Sequence, residues 1–294
     1  MPVKEGFIEV TGGRVWYQSY DGPINQTPVI ILHGGPGSSC YTLQVLKVLA
    51  KDRPVILYDQ LGCGRSDRPK DESLWNIDRF VIELRQIISA LSLDEVYILG
   101  HSWGTTLAAA YLLSHPKGVK SVIFSSPCLS APLWAEDQEQ NRAQLPDEIQ
   151  RVLADCERNG TTDSTEYKNA TAEFNKRFVC RLDPWPELLK EASSYKNPEV
   201  YNLMWGPSEF HVTGNLRDFD YTGELKDIKI PALFTCGRFD EATPKSTEYF
   251  SKLTPNGKFH VFEKSAHMPY LEEPEAYAKV IGEFLAHVDT DGND

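Results

Sequence analysis

The sequence predicts an α/β fold: a mainly parallel sheet of eight strands with helices on both faces and one helical insertion. Three observations carry this expectation. Apolar runs such as Val29-Ile30-Ile31-Leu32 and Val55-Ile56-Leu57-Tyr58 are continuous, as in strands buried on both faces. Such runs alternate with helical patterns, the rhythm of a parallel sheet. From Pro127 to about Lys229 the rhythm stops, and a polar, helix-patterned stretch without a buried-strand run takes its place.

Taken in order, residues 6–20 alternate as a hairpin around Gly12-Gly13. After the strand at Val29–Leu32, a helix is expected from about Ser39 to Leu49, then a strand over 54–58. Ile77, Phe80, Val81, Leu84, Ile87, Ile88 and Leu91 form a helical stripe. Val96–Leu99 is a further strand, followed by a helical segment through Leu107–Leu113 and a strand at 119–124. Beyond the insertion come a strand over 230–236, a helix opening at Thr243-Pro244, and the last strand at 259–262. Thr is a good N-cap, and Pro is favoured at the first helical position. A C-terminal helix is expected from about Pro274 to His287, with Asp289–Asp294 as a frayed tail.

At 294 residues, 41% hydrophobic and 24% charged, the chain can bury a large core. No apolar run is long enough to cross a bilayer, and Met1–Gly6 lacks the apolar core of a signal peptide, so a cytoplasmic protein is expected. A net charge of −12 disfavours nucleic acid and anionic membranes as partners and suits a cationic ligand. The six cysteines (40, 63, 128, 156, 180, 236) show no C-x-x-C spacing and read as isolated thiols. Neither a metal nor an organic cofactor is expected.

The chemistry centres on Gly100-His101-Ser102-Trp103-Gly104, where a strand turns sharply into a helix. A serine on such a bend projects its hydroxyl above the end of the sheet. It becomes a nucleophile only if a base takes its proton and an acid orients the base. On this architecture those partners follow in the order acid, then histidine, each just past a strand. Asp240 in Gly237-Arg238-Phe239-Asp240 and His267 in Lys264-Ser265-Ala266-His267 satisfy that order, and the other six histidines do not. The oxyanion formed on attack needs two donors. One is expected from the backbone N–H of Trp103. The other is expected from Gly35 in His33-Gly34-Gly35-Pro36-Gly37, because Pro36 has no N–H to offer.

These motifs resemble the α/β-hydrolase fold and, within it, the proline iminopeptidase family, close to the tricorn-interacting aminopeptidase and the L-amino-acid amidases. The resemblance is carried by His33-Gly34-Gly35-Pro36-Gly37, Asp59-Gln60-x-Gly62-x-Gly64-x-Ser66, the serine elbow, Trp205-Gly206-Pro207-Ser208-Glu209-Phe210 and Gly237-x-x-Asp240-Glu241-x-Thr243-Pro244. It implies a hydrolase core over 1–126 and 230–294 and a helical cap over 127–229. It also implies that Glu209 and Glu241 bind the free α-amine of a small-molecule or short-peptide substrate, an ammonium being held best by carboxylates at short range. Trp103, Trp205 and Tyr270 fit either pocket walls or aromatic core packing. The implied activity is a serine hydrolase releasing an N-terminal amino acid through an acyl-enzyme. Two other readings compete: an esterase, lactonase or amidase acting on a small specialised metabolite with the same triad, and a binding protein without turnover.

Overall fold

A computed structural model of the protein describes residues 3–291, so Met1, Pro2 and the Gly292–Asp294 part of the expected frayed tail lie outside the described residues. Eight strands form one sheet: β1 (Val3–Val10), β2 (Gly13–Tyr20), β3 (Val29–Leu32), β4 (Val55–Tyr58), β5 (Val96–His101), β6 (Val119–Ser125), β7 (Ala232–Gly237) and β8 (Gly257–Phe262). Their order across the sheet is β1-β2-β4-β3-β5-β6-β7-β8. Pairing is antiparallel for β1–β2 and β2–β4 and parallel from β4 onward.

Helices α1 (Ile77–Ala90) and α2 (Trp103–Leu113) precede an insertion between β6 and β7. That insertion holds α3 (Ala131–Arg142), α4 (Asp147–Asn159), α5 (Thr165–Phe178), α6 (Glu187–Ala192) and α7 (Pro198–Met204). The chain then adds α8 (Pro244–Leu253), α9 (Pro269–Glu272) and α10 (Pro274–Asp291). Thr243 caps α8 as expected, its side chain accepting from Ser246 N at 3.2 Å.

The continuous apolar strands bury both faces because successive side chains point to opposite sides. Ile30, Leu32, Ile98 and Phe124 join the core beneath α1 and α2. Val29, Ile31, Leu99 and Ile123 join the core beneath α10 on the other face. The insertion has a small core of its own, around Leu153, Tyr167, Phe174, Phe178 and Phe210. Its Trp134, Val200, Met204 and Trp205 instead pack into the first sheet-face core.

The insertion is also tied to the loops that follow β3 and β4. Asn197 N donates to Gly37 O (2.8 Å), Asn197 Nδ2 donates to Gly62 O (2.7 Å), and Gly64 N donates to Tyr195 O (2.9 Å). Gly37 lies so close that a Cβ there would fall 2.8 Å from Asn197 O.

Two expectations are corrected. The helix expected from Ser39 is a 3₁₀ helix over Thr42–Lys51. Its buried leucines, Leu43, Leu46 and Leu49, recur every third residue, which matches three residues per turn better than 3.6. The tail does not fray at Asp289. Helix α10 continues to Asp291, and the Asp289 carboxylate accepts from Tyr97 Oη (2.6 Å) and from the buried Arg53 Nη2 (2.8 Å).

Candidate functional site

The site lies where β3, β5, β7 and β8 end, the edge at which parallel α/β sheets bind ligands. Ser102 sits between β5 and α2 with φ 54° and ψ −124°, a conformation that costs on the order of 1–3 kcal/mol and persists only where its surroundings enforce it. They do. A Cβ on Gly100 would lie 2.3 Å from Gly104 O, and one on Gly104 would lie 2.2 Å from Leu32 O. Ser102 N donates to Ser125 O (3.0 Å), and Ser102 O accepts from Thr105 N (2.8 Å) and Thr105 Oγ1 (2.6 Å). The Ser102 side chain makes no capping hydrogen bond to α2 and lines the pocket.

Asp240 is fully buried. Its Oδ1 lies 2.7 Å from His267 Nδ1 and accepts from Ala242 N (2.8 Å), while Oδ2 accepts from Gly237 N (3.2 Å). Gly237 lets the histidine loop pass, since a Cβ there would meet Ala266 O at 2.2 Å. Burial disfavours the His267 imidazolium, but Asp240 beside it, helped by Glu209 and Glu272, more than offsets this and raises its pKa above the ordinary histidine value.

The His267 loop is held from several sides. His267 O accepts from His101 Nε2 (2.8 Å) and Ser126 Oγ (3.2 Å). Burial pushes the His101 pKa down to about 3, so this ring is neutral and keeps its proton on Nε2. Glu272 accepts from Ala266 N (2.8 Å), and Glu273 accepts from Lys264 N (2.9 Å) and Ser265 Oγ (2.6 Å).

Gly35 (φ 121°) and Trp103 line one narrow pocket with Ser102, Thr106, Cys128, Trp134, Trp205 and Glu209. Sequence reasoning named five of the eight lining residues and missed Thr106, Cys128 and Trp134. Thr106 was findable, being one helical turn beyond Ser102 on the same face of α2. Tyr270 is not in the pocket wall. It packs edge-on against His101 at 5.0 Å, and its hydroxyl lies 3.2 Å from Thr42 Oγ1.

Gln60 links the Trp103 side chain to His33, two residues before Gly35. Its Oε1 accepts from Trp103 Nε1 (2.8 Å), and its Nε2 donates to His33 O (3.0 Å). Its backbone N–H donates to His33 Nε2 (3.0 Å), leaving His33 Nδ1 to donate to Gly34 O (2.8 Å). Gln60→Leu would strand a buried indole N–H and a buried carbonyl, each at about 1–3 kcal/mol, and loosen both candidate oxyanion donors. A fall in kcat of about 100-fold with little change in KM is the expected steady-state result.

Glu241 is wholly buried, and neither of its carboxylate oxygens has a hydrogen-bond partner. Its main chain is fixed by the insertion: Glu241 N donates to Phe178 O (3.2 Å), and Gln138 Nε2 donates to Glu241 O (2.8 Å). Burial, then Glu209 and Asp240, push its pKa well above the ordinary carboxylate range. Its Oε1 lies 3.6 Å from His267 Nε2. Glu209 is placed by its own carbonyl, which accepts from Trp134 Nε1 (2.7 Å). Trp205 Nε1 is a further buried donor without a partner. Of the sequence-predicted site residues, Gly35, Ser102, Trp103 and Glu209 line the pocket, whereas Asp240, His267 and Glu241 form a buried cluster that is not part of its lining.

The alpha/beta hydrolase fold family matches residues 27–274. The chain is 67% identical to the proline iminopeptidase of Heyndrickxia coagulans over 96% of its own length and 98% of that protein. It is 38% identical to the proline iminopeptidase of Clostridium botulinum over 97% and 99% of the two chains. Among solved structures, VinJ superposes with a TM-score of 0.93 at 34% identity, covering 97% of this chain and 99% of that one. The proline iminopeptidase of Mycobacterium smegmatis superposes with a TM-score of 0.91 at 34% identity, covering 98% and 100%. The chain belongs to the alpha/beta hydrolase fold family and, within it, to the proline iminopeptidases.

Proposed function

We propose that Ser102, Asp240 and His267 are the catalytic triad of an aminopeptidase, that Gly35 and Trp103 supply the oxyanion donors, and that Glu209 and Glu241 seat the substrate's free amine. The protein is a serine hydrolase that cleaves the bond after a free N-terminal amino acid through an acyl-enzyme. His267 Nε2 takes the Ser102 proton as Oγ attacks the carbonyl carbon, and the Gly35 and Trp103 N–H groups hold the oxyanion. Collapse of the tetrahedral intermediate breaks the C–N bond, and His267 gives its proton to the leaving amine. Water, deprotonated by the same histidine, then releases the amino acid from Ser102.

The observation that carries the substrate reading is Glu241, a buried carboxylate without hydrogen-bond partners, set beside His267 and under the influence of Glu209. A bound ammonium satisfies such a group, whereas an N-blocked substrate offers it no cationic partner, a loss of about 3–5 kcal/mol. The insertion over 127–229 acts as the cap that encloses this charge. Three tryptophans around so small a pocket suit a compact apolar residue such as proline, in keeping with the relatives' name. No helix among the described residues is long and apolar enough to cross a membrane. The six unpaired cysteines suit a reducing cytoplasm.

The test compares Pro-, Ala- and Phe-arylamides with their N-acetylated forms. Blocking the amine should lower kcat/KM by about 1000-fold. Glu209→Gln and Glu241→Gln should each narrow that gap. Equal rates on free and blocked substrates would transfer the protein to the ester, lactone or amide reading.

A further inference from the structure

We propose that Glu241 and His267 share one proton in the empty enzyme and that the substrate's ammonium replaces it, so that His267 becomes a base only when a free amine is seated. The proposal rests on the reading of Glu209 and Glu241 as the amine seat and adds to it a direct tie between recognition and the reacting atoms.

The geometry points this way. His267 Nε2 must accept the Ser102 proton, yet among the described residues no hydrogen bond joins it to Ser102 Oγ. Its charged neighbour is Glu241 Oε1, 3.6 Å away. The other ring nitrogen is committed to Asp240. Glu241 has no hydrogen-bond donor on either oxygen to stabilise a bare negative charge. The charged groups bearing on it are Asp240 and Glu209, and those bearing on His267 are Asp240, Glu209 and Glu272, all carboxylates. His101, which faces His267 at 4.8 Å between ring centroids, is neutral and adds no cation. The remaining titratable neighbours, Tyr201 and Cys128, are pushed upward by burial and stay uncharged.

Crowded carboxylates in a closed site retain a proton, and the titration belongs to the coupled pair rather than to either residue. Both members are shifted toward keeping it. While the pair holds that proton on His267 Nε2, as an ion pair facing Glu241 Oε1 across 3.6 Å, the nitrogen lone pair is engaged and Ser102 is not activated. An ammonium beside Glu209 and Glu241 supplies the same positive charge at the same place. The shared proton then leaves to solvent, no covalent bond changes, and Nε2 turns to Ser102. Free-amine selectivity consequently appears in kcat as well as in KM, because a blocked substrate that does bind meets an occupied base.

The experiment is titration calorimetry of the Ser102→Ala enzyme with prolinamide near pH 6.5, where an α-amine of ordinary pKa about 8 is charged. It is repeated in buffers of differing ionisation enthalpy, which counts protons. Release of about one proton per ligand bound is expected, falling away at alkaline pH where the pair has already lost it. Saturable binding without proton release overturns the proposal and leaves the amine seat standing. Absence of binding overturns the seat and this proposal with it. Glu241→Gln in the same background should bind prolinamide more weakly and release no proton, and undiminished release there would also overturn it.

Discussion

Exchange of Ser102 for alanine should lower kcat on a prolyl arylamide by about a millionfold, the loss seen when one member of a hydrolytic triad is removed. The side chain of Ser102 makes no capping hydrogen bond to α2, so its removal leaves the elbow intact, and the circular dichroism spectrum and Tm should hardly move. Asp240→Asn should cost about 10,000-fold with the fold preserved. The amide can present its N–H toward His267 Nδ1, which drives the imidazole proton to Nε2 and leaves no base facing the serine. A loss below tenfold in either variant would require another nucleophile or another orienting acid.

The second large effect is on stability. Gly104→Ala would place a Cβ 2.2 Å from Leu32 O and 3.0 Å from His33 O, backbone atoms at the end of β3 and the start of the loop that holds the proposed oxyanion donor Gly35. Neither can rotate away, so β3 and α2 must separate. A destabilisation of about 4 kcal/mol follows for a clash of this kind, a fall in Tm of roughly 10 °C by calorimetry. Activity should fall even at temperatures where the variant is folded, because the strand that moves leads into the loop of Gly35, the proposed oxyanion donor. Gly160→Ala is the comparison. That glycine ends α4 with φ 67°, and nothing lies within 4 Å of its added Cβ, so the cost is confined to backbone conformation.

Much of this was legible because the relevant residues obey local rules. Strands buried on both faces have no choice but to be continuously apolar, so Val29–Leu32 and Val55–Tyr58 announce themselves. The elbow glycines are dictated by backbone contact, and Asp240 and His267 by where loops leave a parallel sheet. The 3₁₀ helix at Thr42–Lys51 was harder, since a three-residue leucine spacing also occurs in amphipathic α-helices. Trp134 and Cys128 were not legible as pocket walls. Trp134 reaches the pocket only through the way α3 folds over the sheet, and Cys128 only through the hydrogen bonds of its backbone to Thr105 and Thr106, neither of which leaves a spacing in the sequence. Glu272 at the end of the short helix α9 and Glu273 just after it bracket the His267 loop, a role set by tertiary position alone.

The bonds from Tyr195 and Asn197 to Gly37, Gly62 and Gly64 bear on how this protein can be re-engineered. Helical insertions of hydrolases invite exchange as interchangeable modules, each bringing a new specificity to a constant catalytic body. Here a transplanted insertion would arrive without partners for three glycine backbones in the loops after β3 and β4. It would also lack the Phe178 carbonyl and Gln138 amide that fix the main chain of Glu241. A working chimaera therefore has to exchange at least the 34–37 and 59–66 loops together with the insertion, so the unit of inheritance for specificity is discontinuous in the sequence.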